Sequence, residues 1–216
     1  MKTLKEYIIE GIFDIEDNIG DLSVESLIED FIKENYEVDK KLQIKKKVDK
    51  YIVSTNGDVI VTNKNITALT NGLFEWGEVN SFYCRNCISL KDLKGAPKKV
   101  DGYFNCSHCT SLESLEGAPE KVGRSFYCLG CISLKDLKGA PKEIKYDFSC
   151  IDCTSLKSLK GAPKEVGFFS CRGCTSLKSL KGAPEKAHIF NCVDCGKKFT
   201  KEDVRAVCDV EDEIYV

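Results

Sequence analysis

Between residues 100 and 119, apolar and polar positions alternate, bend, and then start again. Phe104 and Cys106 alternate with Tyr103, Asn105 and Ser107, the period-two pattern of a strand with one buried face. Cys109 follows where such a strand must bend. Ser111 then precedes Leu112-x-x-Leu115, and Gly117 follows. A serine N-cap, leucines at i and i+3 and a glycine stop predict one short helical or 3-10 turn. Ala118-Pro119 returns the chain to an extended path, because proline disfavours helix before itself. Val100, Val122, Ile144, Val166 and Ala187 plug that return path.

The same pattern recurs along the chain. The leading cysteines are Cys84, Cys106, Cys128, Cys150, Cys171 and Cys192, at steps of 22, 22, 22, 21 and 21 residues. One unit cannot bury its apolar side alone, so it must stack on its neighbours. The units resemble the leucine-rich repeat family in its short bacterial and phage-encoded form. The residues that carry the likeness are Val100, Phe104, Cys106, Cys109 and Leu112, with one extra residue between Cys109 and Leu112. The resemblance implies an α/β solenoid with one short parallel strand and one short helical or 3-10 turn per coil. A helical N-terminal cap and a C-terminal helix cap would close it. Three regions follow: a cap over 1–76, a solenoid over 77–195 and a closing cap over 196–216.

In the N-terminal region, residues 3–13 have the spacing of an amphipathic helix, and Asp14–Asp21 that of an acidic loop. Ser23 caps a second helix with Val24, Leu27, Ile28, Phe31 and Ile32 on one face. The opening segment is weakly similar to N-terminal segments of large gut bacteriophage proteins, which would suit a docking or packaging role. Asn56-Gly57, between Ile52-Val53 and Val59-Ile60, predicts a β-hairpin. Ile66-x-x-Leu69 looks like a degenerate first repeat. At the other end Thr200 caps a helix over 201–207, and 209–216 is an acidic tail that could finish as a strand.

Six C-x-x-C pairs form a cysteine ladder whose spacing also fits a zinc pattern. The expected role is nonetheless structural. The first cysteine falls on an inward strand position and the second at the bend, and cysteine packs as a small buried hydrophobe. Zinc would group the coils in twos, whereas these pairs recur once per coil. A zinc-stabilised or thiol-active module is the alternative. Thirteen cysteines without an export signal predict free thiols in a cytoplasmic setting, or in a virion if the chain is phage-encoded. No run is long and apolar enough for a membrane span. No catalytic constellation stands out, no phosphate-binding glycine loop occurs, and no cofactor is expected.

Charge is uneven although the net is −2. Residues 1–40 carry twelve acidic side chains against four lysines; residues 81–195 carry eighteen basic against twelve acidic. Lys91, Lys94, Lys135, Lys138, Lys157, Lys160, Lys178 and Lys181 form a stripe interrupted by Asp92, Glu113, Glu116 and Asp136. A solubilising face is expected there, not a nucleic-acid site. Variation between repeats concentrates on the strand positions opposite Phe and Cys. Tyr83, Arg85, Tyr103, Asn105, Tyr127, Leu129, Ile151, Phe168, Arg172 and Ile189 are the candidate partner-binding residues, since exposed aromatics often mark interfaces. The expectation is a non-enzymatic scaffold that binds another protein through this face, with a virion structural or cargo role as a further alternative.

Overall fold

A computed structural model describes residues 23–48 and 50–216. The expected helix over 3–13 and the acidic loop after it lie outside the described residues. Eight successive turns of chain stack into a β-solenoid. Its main sheet has nine strands, in the order β1 (Tyr36–Val38), β4 (Val59–Val61), β6 (Phe82–Tyr83), β8 (Phe104–Asn105), β10 (Phe126–Tyr127), β12 (Asp147–Ser149), β13 (Glu165–Ser170), β14 (Lys186–Asn191) and β15 (Asp209–Tyr215). Only β1 runs antiparallel to its neighbour.

Register is set by phenylalanine. Phe82, Phe104, Phe126, Phe148, Phe169 and Phe190 are fully buried and lie over one another. Ring centroids are 5.0–5.7 Å apart along this column, and the rings are near parallel except at the last step, where Phe190 is tilted by 37° from Phe169. A slip of one residue would turn every phenylalanine out and every polar neighbour in, so the period-two pattern fixes the stack. The residues that plug the return path form a second column. There β7 (Lys99–Val100), β9 (Lys121–Val122) and β11 (Glu143–Ile144) pair in parallel, with Val100, Val122 and Ile144 buried.

The expected helical or 3-10 turn per coil is not there. Among the described residues the only helices are α1 (Val24–Asn35) and α2 (Lys201–Arg205), both outside the repeats. Leu112 and Leu115 are buried as expected, but only single turns close within the coil, Leu112 N–H to Cys109 C=O at 3.0 Å and Ala118 N–H to Leu115 C=O at 2.9 Å, while groups between them pair with the neighbouring coil. Glu113 N–H donates to Lys91 C=O at 2.9 Å, and Leu93 N–H donates to Glu116 C=O at 2.8 Å. A helical turn would close those groups inside one coil and break the lateral pairing. The segment therefore follows a turn-and-bend path. Gly139, at φ +86°, shows why this corner needs glycine: a Cβ there would sit 2.5 Å from Glu116 N and Leu115 C of the preceding coil.

The predicted Asn56-Gly57 hairpin is also corrected. Its flanking strands go to different sheets: β3 (Lys50–Ser54) pairs antiparallel with β2 (Gln43–Lys47) and parallel with β5 (Phe74–Trp76), while β4 joins the main sheet. Asn56-Gly57 turns a corner between two faces. Ser23 does cap α1, its Oγ accepting from Ser26 N–H at 3.2 Å, and Val24, Ile28 and Ile32 are buried. Tyr36 donates to the Leu69 carbonyl at 2.6 Å and meets Trp76 edge-on at 5.3 Å, sealing the first coil. At the other end Thr200 and Asp203 form a capping box on α2, and Val204 and Phe199 are buried beneath it.

Candidate functional site: the open sheet face

The phenylalanines and first cysteines point inward, so the alternate residues form the open face of the main sheet. All ten candidate residues lie there. Arg85 and Arg172 are exposed; Tyr83, Tyr103, Asn105, Tyr127, Leu129, Ile151, Phe168 and Ile189 are half-buried against each other. Adjacent coils bring some of them together. The Tyr103 and Tyr127 rings stack 6.3 Å apart at 18° across coils, and within one coil the Arg85 guanidinium lies 5.7 Å over Tyr83. Phe168 and Ile189 are neighbours in register, as are Tyr83 and Asn105.

Two participants were missing from the candidates. Arg124 places its guanidinium 5.4 Å from the Tyr103 ring and donates to its hydroxyl at 3.3 Å. Asp147 accepts from Ser125 Oγ at 3.1 Å and from Tyr127 Oη at 3.5 Å. Asp147 stands in the same column as Tyr103 and Phe168, so its place was legible; Arg124 precedes the strand, and only the stacking of coils brings it under Tyr103. One end of the face is thus aromatic and cationic, around Tyr83, Arg85, Tyr103, Arg124 and Tyr127. The other is mainly apolar, around Leu129, Ile151, Phe168 and Ile189, and also carries the exposed Arg172. Within this second end Ser149 and Ser170 pair in register, are buried, and have hydroxyls without a hydrogen-bond partner among the described residues.

Beneath this face the cysteines form two columns of free thiols. The ladder image needs correcting, because no disulfide rungs join them: all thirteen are free, and Cys195 alone is half-buried while the rest are buried. From Cys109 on, each second cysteine donates back to the carbonyl of the first cysteine of the preceding coil, whereas Cys87, which has no such cysteine before it, faces the Arg85 carbonyl of its own coil at 3.9 Å. Cys109 reaches the Cys84 carbonyl at 3.0 Å, Cys131 reaches Cys106 at 3.3 Å, Cys153 reaches Cys128 at 3.1 Å, Cys174 reaches Cys150 at 3.2 Å and Cys195 reaches Cys171 at 3.3 Å. Lys64 caps the Val61 carbonyl before the cysteines begin.

The geometry explains the spacing. The residue before each second cysteine (Asn86, His108, Gly130, Asp152, Gly173 and Asp194) is left-handed, with φ of 57–72°. That kink ends the strand and leaves the first cysteine's carbonyl with at most a local backbone donor: Cys153 N–H reaches Cys150 C=O at 3.4 Å and Cys174 N–H reaches Cys171 C=O at 3.2 Å, while no backbone N–H reaches the Cys84, Cys106 or Cys128 carbonyl among the described residues. A buried carbonyl needs a partner, and the thiol supplies a short one without the bulk of an amide. Burial pushes the Cys106 thiol up, and the Cys174 and Cys195 thiols beside Cys150 and Cys171, together with burial, push those two up as well. Protonated thiols of this kind are poor nucleophiles. Among the described residues no group of three or more potential ligands is placed to hold a metal ion.

Comparison with known proteins finds no matching family model, no matching curated protein and no matching solved structure.

Proposed function

We propose that this chain is a non-enzymatic scaffold that binds a protein partner through the open face of its main sheet. One observation carries this reading. The inward Phe, Cys and Leu positions are nearly uniform from coil to coil, whereas the open-face positions differ in size, charge and aromaticity. A sheet needing only solubility would be served by polar residues there; instead tyrosines are held by stacking and by arginine. Stacked coils restrain these side chains before binding, so little ordering cost remains when a partner arrives. Large amphipathic aromatics and arginines are the residues that dominate interface energetics. The protein would work in a reducing compartment such as the cytoplasm, where its thiols stay free. The likeness of its repeats to leucine-rich repeats points toward the same role, since those stacks present one face to partners.

The test is selection of binders from a displayed protein library, followed by measurement against Tyr103→Ala/Tyr127→Ala. The expected result is at least a tenfold loss of affinity in the double variant, with an unchanged melting temperature. Binders that do not distinguish the variant from the parent would remove this face as the docking surface.

A further inference from the structure

The lysine stripe on the side away from the sheet face is not uniformly interrupted. Of the four acidic residues that break it, Asp92 lies in the first Cys-bearing coil and Glu113 and Glu116 in the second. Glu113 and Glu116 occupy the positions that lysine holds in every other full coil. From the third coil on, those positions read Lys135 and Lys138, then Lys157 and Lys160, then Lys178 and Lys181, all exposed.

The residue between the paired lysines changes in step. In the first and third coils it is Asp92 or Asp136, whose carboxylate accepts from the amide of Lys94 or Lys138 and pairs with the same lysine's ammonium. In the fourth and fifth coils it is Ser158 or Ser179. Each hydroxyl accepts the equivalent amide, from Lys160 and Lys181, at 3.1 and 3.2 Å. Serine does the turn's hydrogen bonding without the negative charge, so these coils are more cationic than the turn requires. Of the six lysines only Lys138 has an acidic partner among the described residues.

The lysines of the third and fourth coils are stacked tightly. Lys157 N–H donates to Lys135 C=O at 2.9 Å, and Leu137 N–H donates to Lys160 C=O at 3.0 Å, so equivalent lysines stand one strand spacing apart, about 4.8 Å. Like charges at that spacing repel one another. The columns end at a cavity of ≈ 470 Å³ between the last full coil and α2, lined by Lys178, Lys181 and Lys197 and by Asp203, whose carboxylate pairs with Lys197 at 3.5 Å.

We propose that this lysine block is a sequence-independent docking surface for the phosphate backbone of nucleic acid. Charge complementarity selects the partner class. Between the paired lysines stand Asp136, Ser158 and Ser179 and the buried Leu137, Leu159 and Leu180, so no exposed aromatic or aliphatic anchor of the kind a protein interface needs separates them. It also has no arginine: the repeats' three, Arg85, Arg124 and Arg172, belong to the sheet-face side. Lysine meets phosphate as a point charge, and forked arginine contacts are the commonest readers of guanine. The block therefore grips the backbone without reading bases.

The experiment is fluorescence anisotropy of the full chain with a labelled random-sequence DNA duplex and with a single strand of equal length. About four phosphate contacts predict a roughly 100-fold loss of affinity between about 50 mM and about 200 mM salt. Lys135→Glu/Lys157→Glu/Lys178→Glu should weaken low-salt binding at least tenfold and flatten the salt dependence. Lys91→Glu/Lys98→Glu/Lys99→Glu, outside the block, should change binding less than threefold. Lys135→Gln/Lys157→Gln/Lys178→Gln serves if the charge reversal does not fold, and should give a smaller loss in the same direction. Equal losses in the block and control variants, or salt-independent binding, would overturn the proposal. So would displacement of the DNA by polyglutamate at matched charge as readily as by unlabelled DNA. A sheet-face double alanine variant should bind DNA normally, which keeps this test separate from that of the protein-docking face.

Discussion

Replacing Cys153 separates the two things a buried thiol can contribute. Its side chain is fully buried and donates to the Cys128 carbonyl at 3.1 Å. No backbone N–H reaches that carbonyl among the described residues. Cys153→Ala removes the donor and leaves a void where the sulfur was. An orphaned buried acceptor costs roughly 1–3 kcal/mol. The void adds about 1 kcal/mol, a little more than one buried methylene. The expected destabilisation is about 2–4 kcal/mol. Cys153→Val refills the volume but supplies no donor, so it should still lose about 1–3 kcal/mol. Cys153→Ser keeps a donor in a smaller group, and should be the mildest of the three if the hydrogen bond matters most. Equilibrium urea unfolding of the three variants, monitored by far-ultraviolet circular dichroism, gives the ranking. A valine variant as stable as the parent, with serine as damaging as alanine, would refute the reasoning. The cysteine columns would then be packing alone, and the carbonyls would need no thiol.

Phe126→Ala should cost about 3–5 kcal/mol, because it opens a void between two parallel rings at 5.2 and 5.4 Å; Phe190→Ala, which breaks one tilted ring contact, should cost less in the same unfolding assay. Gly139→Ala should cost at least about 1–2 kcal/mol from its left-handed backbone alone, and more from the overlap with the preceding coil; a loss below that range would mean the corner can relax. Burial pushes the Cys192 thiol up to about 12 and the Cys208 thiol up to about 11. Folded values above the unfolded one mean that their contribution is fully present below about pH 8.5 and is lost as pH rises toward the folded values. Thermal melts from pH 8 to 11 should therefore fall more steeply for the parent than for Cys192→Ala/Cys208→Ala; parallel curves would refute it. Unfolding in denaturant should release thirteen titratable thiols, and chelator should leave the melting temperature unchanged; a chelator-induced collapse would instead favour the zinc-stabilised alternative.

The repeat period, the inward Phe, Cys and Leu positions and the open-face columns were all legible in the sequence. They depend on side-chain alternation and on a fixed step, which are properties of the chain itself. Ser23 and Thr200 were legible as helix caps for the same reason, because a cap acts within a few residues. The Leu112-x-x-Leu115 spacing suggested a helical turn because leucines at i and i+3 fit one locally. What decided otherwise was the neighbouring coil, which offers the Lys91 carbonyl to Glu113 N–H and the Leu93 N–H to the Glu116 carbonyl, partners that no local pattern encodes. The Asn56-Gly57 hairpin failed likewise: a tight turn is local, but which sheet each flanking strand joins depends on the coil beside it.

By itself, then, the sequence determined that this protein stacks, in what register, and which side chains face in or out. Only the tertiary structure decided where polar groups find partners in the next coil: cysteine thiols at carbonyls about 25 residues upstream, and Arg124 at Tyr103. The physical reason is range. Propensity and alternation act over a few residues, whereas these partners come from the next coil, and stacking must place them before the contact exists.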